Sequence, residues 1–178
     1  KLDLIMQVCD GLSAAHAAGI IHRDIKPGNL FVLNDGGLKI LDFGVARLVT
    51  SSMTVRGHII GTPSYMSPEQ ATGRDIDHRS DIFSAGGVFY WMLTGRKPFA
   101  AADLPSVLRK VQFEDPPALR EHEAPAPLAR IVFRALAKDP GNRYQRISDM
   151  LGDLQRFRRQ FESGALRLGG VAQAHVGA

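Results

Sequence analysis

Asp24 and Asn29 lie close together in His22-Arg23-Asp24-Ile25-Lys26-Pro27-Gly28-Asn29, and Asp42 follows in Asp42-Phe43-Gly44. A carboxylate beside a hydroxyl can receive its proton. A second carboxylate and an amide carbonyl offer the hard oxygen ligands that magnesium prefers. Lys26, two residues past Asp24, adds a compact positive charge suited to a phosphate. Base, cation and metal ligands are what phosphoryl transfer asks of a protein, because that chemistry depends on positioning and charge stabilisation more than on covalent catalysis. A solvated turn with two unrelated acidic residues would account for each letter alone, but not for these types at these offsets.

The elements that must hold these residues can be read on either side. Leu2, Ile5, Val8, Cys9, Leu12, Ala15 and His16 recur at helical spacing, and Gly19 is placed to end that helix. Leu30 to Leu33 and Leu38 to Leu41 flank Asn34-Asp35-Gly36-Gly37, a strong hairpin signal that separates the two clusters. Residues 42–69 have little periodicity and many Thr, Ser and Gly, and are expected to form a long functional loop. Residues 81–94 are apolar on nearly every side and stop at Gly95, so a buried central helix is expected. Further helices are expected near 103–111, 127–137 and 148–161, with Asp103 and Ser148 as N-caps. This makes one mainly α domain with a small β-hairpin sheet over residues 1–162, and a flexible Gly- and Ala-rich tail over 163–178.

Composition narrows the classes. Hydrophobic content of 44% with 22% charged residues is that of a soluble globular chain able to bury one core. The one cysteine, Cys9, rules out an internal disulfide and fits a cytoplasmic location, with a membrane-anchored parent also compatible. No apolar run is long enough to span a bilayer, so no membrane contact is expected from this segment. A formal charge of +4 with interspersed acidic residues gives no nucleic-acid surface. Arg156, Arg158 and Arg159 form the densest basic cluster and are expected on a solvated helix face. A chain that starts at Lys1, directly on a helical pattern, is expected to be a piece of a longer protein.

These motifs together resemble the C-terminal lobe of the α+β protein-kinase fold, from a bacterial-type (Hanks-type) serine/threonine kinase. The resemblance covers residues 1 to about 162. It implies ATP and magnesium as cofactors, with manganese a possible substitute, and protein substrates bearing Ser or Thr. Asp24 would be the catalytic base, Lys26 the charge on the moving phosphoryl group, and Asn29 and Asp42 the metal ligands. Phe31 would floor the adenine site, while His22 and Phe43 would pack beneath the loop as structural groups. Gly61-Thr62-Pro63 through Ser67-Pro68-Glu69 resembles the end of the activation segment, with Thr62 bonded to Asp24 and Lys26. Glu69 would pair with Arg143, and Asp81 would receive backbone N–H groups of the catalytic loop while also able to cap its own helix. Gly28 stands where Arg-directed kinases often carry Glu, which argues against a strong preference for Arg before the target.

The Gly-rich phosphate loop, the lysine strand and the helix that completes the ATP grip have no counterpart in these residues. A missing N-terminal lobe is therefore an expected partner, and the segment alone is expected to be inactive or nearly so. The rival reading is a truncated lobe that serves as a protein-interaction module without catalysis.

Arg23 before Asp24, and Arg47 after it, resemble the pair that receives an activation-segment phosphate in related kinases. Thr54 is the expected acceptor, since its distance before Thr62 matches an autophosphorylation site of bacterial relatives. Mass spectrometry of the active parent protein is expected to find phosphate on Thr54, and Thr54→Ala to lower activity. Full activity without phosphate anywhere in residues 50–58 would discard this expectation.

Overall fold

The structure, a computed structural model, describes residues 1–42 and 63–164. Phe43, Arg47, Thr54, Thr62 and the tail from residue 165 onward lie outside the described residues. The order is α1 (Leu2–Ala17), β1 (Leu30–Val32), β2 (Leu38–Ile40), α2 (Pro68–Thr72), α3 (Arg79–Thr94), α4 (Leu104–Phe113), α5 (Ala126–Ala135) and α6 (Ile147–Glu162). This is the mainly α lobe with one small antiparallel hairpin that the patterning implies.

α1 buries Ile5, Met6, Val8, Cys9 and Leu12 on one face. It packs against α6, α3 and β2. Gly11 permits the last of these contacts: a Cβ there would come within 2.9 Å of Ile40 Cδ1. Gln7 on the same helix fixes the hairpin tip, donating to Gly36 O at 3.1 Å and accepting from Leu38 N at 2.8 Å. The hairpin pairs Leu30 with Ile40, Phe31 with Lys39 and Val32 with Leu38.

α3 is the post of the lobe, and every residue from Ser80 to Tyr90 is buried. Its last turn differs from expectation: Trp91 is 37% exposed, while Met92 and Leu93 are only partly buried against the core. Gly86 lets α5 approach closely, since a Cβ there would lie 2.8 Å from Ala135 Cβ. Asp103 caps α4 through a 2.8 Å bond from Ser106 N. Ser148 does not cap α6: the helix starts one residue earlier, with Arg146 at the cap, because Ile147 is drawn into the core as the first helical residue. Asp81 is likewise no N-cap, since α3 begins at Arg79 and His78 holds that position.

α2 begins in the last two residues of the segment expected to be loop and runs three residues past it. Ser67-Pro68-Glu69-Gln70 forms a capping box, with Ser67 Oγ accepting from Gln70 N and Gln70 Oε1 accepting from Ser67 N. Such a box satisfies two orphan donors and can start a helix too short to persist alone.

Glu69 on α2 meets Arg143 in a buried bidentate pair at 2.7 and 2.8 Å. The remaining guanidinium donors reach Ala137 O, Arg79 O and Lys138 O, so all five N–H groups are engaged. Ser80 Oγ donates to the same Glu69 oxygen that Arg143 Nη1 holds. Burial raises the Glu69 carboxyl pKa, but hydrogen bonds from Arg143 and Ser80 and the Arg143 charge outweigh it and hold it below its ordinary value.

Removing either partner leaves a buried charge alone, so Arg143→Ala is expected to cost about 3 kcal/mol in chemical denaturation. Arg143→Lys should recover only part of this, having three donors for five acceptor contacts. Because the folded-state pKa of Glu69 is depressed, its contribution is fully present above the ordinary value of 4.5 and fades as pH falls through the lower folded value. The acid limb of a stability–pH curve should therefore flatten in Arg143→Ala. An unchanged midpoint would remove this pair as a determinant of stability.

Candidate active site

The loop from His22 to Lys26, ahead of a short 3₁₀ turn at Pro27–Asn29, is irregular, so its backbone groups need partners from elsewhere. Asp81, fully buried on α3, supplies them. Its Oδ2 accepts from His22 N at 2.8 Å and its Oδ1 from Arg23 N at 2.8 Å. His16 on α1 approaches Oδ2 through Nε2 at 2.9 Å. From the other side Gln70 Nε2 donates to Arg23 O at 2.7 Å. Arg23 is thus clamped through both backbone groups, and it adopts φ 70°, a left-handed conformation that costs a non-glycine residue on the order of 1–2 kcal/mol.

That clamp turns the next residues. Asp24 N donates to His22 Nδ1 at 3.2 Å, which assigns the ring proton to Nε2, and Nε2 donates to Leu41 O at 2.8 Å. His22 is completely buried and joins the loop to the strand end that carries Asp42. It acts as a packed, hydrogen-bonded group.

Asp24 is half exposed, with its Oδ2 accepting from Lys26 Nζ at 2.6 Å and from Asn29 Nδ2 at 3.0 Å. Asn29 Nδ2 also donates to Asp24 O at 2.8 Å. These bonds orient the amide so that Asn29 Oδ1 has no hydrogen-bond donor among the described residues. Asp24 Oδ1 is likewise without one among the described residues.

The hairpin brings Asp42 to the same end. Leu41 N donates to Asn29 O at 2.8 Å, which extends the strand pairing past Ile40 to the residue just before β1. Asp42 follows with φ 61°, a left-handed turn that Asp tolerates better than most residues, and its side chain is exposed. Asp24, Lys26, Asn29 and Asp42 therefore share one edge of the lobe. Beside them Phe31 is 56% exposed, and Leu41 on the same hairpin face is also open, an apolar surface that is no part of the core. Thr62, Arg47 and Phe43 lie outside the described residues.

Gln70 and His16 were not singled out by their chemistry in the sequence. The Ser-x-x-Gln spacing signals the cap at Gln70, but its reach to Arg23 depends on the tertiary path. His16 falls at a helical spacing shared with apolar residues, and nothing local distinguishes it from a core position.

The family model for the protein kinase domain matches residues 2–152. The chain is 42% identical to the probable serine/threonine-protein kinase PknB of Corynebacterium glutamicum, over 98% of this chain and 27% of that protein. It is 42% identical to the serine/threonine-protein kinase PknB of Mycobacterium tuberculosis, over 87% of this chain and 26% of that one. Against the serine/threonine-protein kinase Pkn1 of Myxococcus xanthus the identity is 43%, over 86% of this chain and 23% of the relative. The chain belongs to the protein kinase family, and it spans about a quarter of the length of these relatives.

Asp81→Asn would point an NH₂ group at a backbone N–H and forfeit a charge-assisted bond, a loss of about 1.5–3 kcal/mol. Amide hydrogen exchange at His22 and Arg23 is expected to accelerate tenfold or more in this variant, with exchange in α5 unaltered. Equal protection in the two proteins would mean that Asp81 does not hold the loop.

Proposed function

We propose that this chain carries the base and metal ligands of a serine/threonine protein kinase, which transfers phosphate from ATP to Ser or Thr hydroxyls of proteins. The observation that supports this best is the division of the Asp24 carboxylate. Oδ2 is occupied by Lys26 and Asn29, while Oδ1 has no donor among the described residues. A substrate hydroxyl that donates to Oδ1 would be oriented for attack and could pass its proton to that oxygen late in transfer. Lys26, bonded to Asp24 at 2.6 Å, is near enough to the same point to balance charge on a phosphoryl group.

Magnesium, or manganese in its place, fits the donors present. Asn29 Oδ1 has no hydrogen-bond donor among the described residues, and Asp42 is exposed at the same strand end. When bound, the ion would neutralise charge on the ATP phosphates. Phe31, exposed on the outer face of the hairpin, offers an apolar floor of the kind that receives a nucleobase from one side. The names of the three relatives support Ser and Thr as acceptors.

The 178 residues contain no Gly-rich phosphate loop, and the apolar floor is open on its outer face. Positioning supplies a large part of this catalysis, so the chain alone should transfer phosphate far more slowly than the complete kinase domain. In that complete domain, Asp24→Ala and Asp42→Asn are both expected to abolish transfer of radiolabelled phosphate from ATP. Asn tolerates the left-handed backbone at residue 42, so the Asp42→Asn midpoint of thermal unfolding should stay near that of the parent. Undiminished transfer in Asp42→Asn would refute its role as ligand. Transfer by the 178-residue chain at the full rate, lost in Asp24→Ala, would refute the need for a second lobe.

A further inference from the structure

The basic cluster expected on one solvated helix face is divided by the fold. Arg158 points toward α1 and pairs with Asp3 at 3.2 Å. Arg156 turns the other way, into a groove of about 350 Å³ between α5 and α6. The groove has an apolar floor of Pro127, Ile131 and Phe157, and its rim carries Arg130 and Arg134, one turn apart on α5, opposite Arg156.

Its charge is poorly balanced. The single carboxylate among the lining residues, Asp153, is shared three ways: it accepts from Tyr144 Oη at 2.9 Å and from Arg156 at 2.9 Å, and lies 3.9 Å from Arg134. The Arg134 guanidinium stacks over the Tyr144 ring at 4.2 Å, which fixes it at the rim. Arg130 has no ion-pair or hydrogen-bond partner among the described residues. Three guanidinium groups thus face one carboxylate around an apolar slot of a size that holds a bound side chain. Guanidinium groups fixed beside apolar pockets are favoured anchors at interfaces, and a surplus of one sign steers partners of the opposite sign.

We infer that the α5/α6 groove is a docking site for an acidic segment of another protein, with one apolar or aromatic side chain seated on Ile131 and Phe157 and flanking carboxylates on Arg130, Arg134 and Arg156. The occupant comes from outside the chain's own tail, since residues 163–178 contain Arg167 and no Asp or Glu. None of the groove residues belongs to the proposed catalytic set, so docking here would recruit a partner without obstructing the Asp24 edge.

Fluorescence anisotropy on the 178-residue chain tests this, with a fluorescein-labelled peptide of two Glu on either side of one Phe as the probe. Saturable binding is expected, weakened by added salt, as screening requires. Exchanging the peptide Glu for Lys, or its Phe for Ser, should weaken binding tenfold or more. Arg130→Glu is expected to weaken it about tenfold and Arg156→Gln severalfold, while Arg158→Gln, on the other side of α6, leaves it unchanged. Arg130→Gln, with circular dichroism as a folding control, covers the case in which the charge reversal disturbs α5. Absence of saturable binding would overturn the proposal, as would equal loss in Arg158→Gln. It would also fall if the groove variants instead dissociated a homodimer in sedimentation, or abolished binding to phosphatidylserine vesicles in a chain that does not bind the peptide.

Discussion

The carboxylate of Asp81 is the interaction on which the site depends. It is fully buried at the start of the central helix and receives the N–H groups of His22 and Arg23 together with the ring of His16. A buried carboxylate is tolerated only when its oxygens are bonded, and an irregular loop is tolerated only when its amides are. Each meets the other's need. Asp81 thus converts the most rigid element of the lobe into a mould for its least regular one, and holds Arg23 in a left-handed conformation that its own preferences oppose.

Glu69 and Arg143 do the corresponding work for α2. Their bidentate pair, with the other Arg143 donors placed on three carbonyls, pins a five-residue helix that propensity alone would not sustain. α2 in turn carries Gln70, which caps the helix with one amide atom and grips Arg23 O with the other. Two buried polar clusters therefore meet at Arg23, one from α3 and one from α2. A buried ion pair adds little net stability over a well-packed apolar one, and its value here lies in the single arrangement it permits.

The hairpin sets the separation between the site's two halves. Strand pairing from Leu30–Ile40 to Val32–Leu38, continued by Leu41 N to Asn29 O, brings Asn29 close to Asp42 across the chain reversal. Gln7 and the close approach at Gly11 hold the hairpin against α1. Helix packing thereby positions the residues proposed to bind metal, although neither Asn29 nor Asp42 lies on an α-helix.

Much of this was legible in the sequence because it rests on local rules. The apolar spacing of α1, the apolar length of α3, the turn residues 34–37 and the cap at Asp103 each act within a few positions, and the elements appear within a residue or two of their expected bounds. The types and offsets of Asp24, Lys26, Asn29 and Asp42 were legible for the same reason. Local rules failed where a distant partner decides. Ser148 yields the cap of α6 to Arg146 because the core claims Ile147, and Asp81 faces another segment's amides instead of its own helix. The reach of Gln70 to Arg23, the contact of His16 with Asp81 and the division of the arginines on α6 between Asp3 and the α5 groove have no sequence signature. Each joins groups far apart in the chain, and long-range contacts of that kind exist only once the helices have packed.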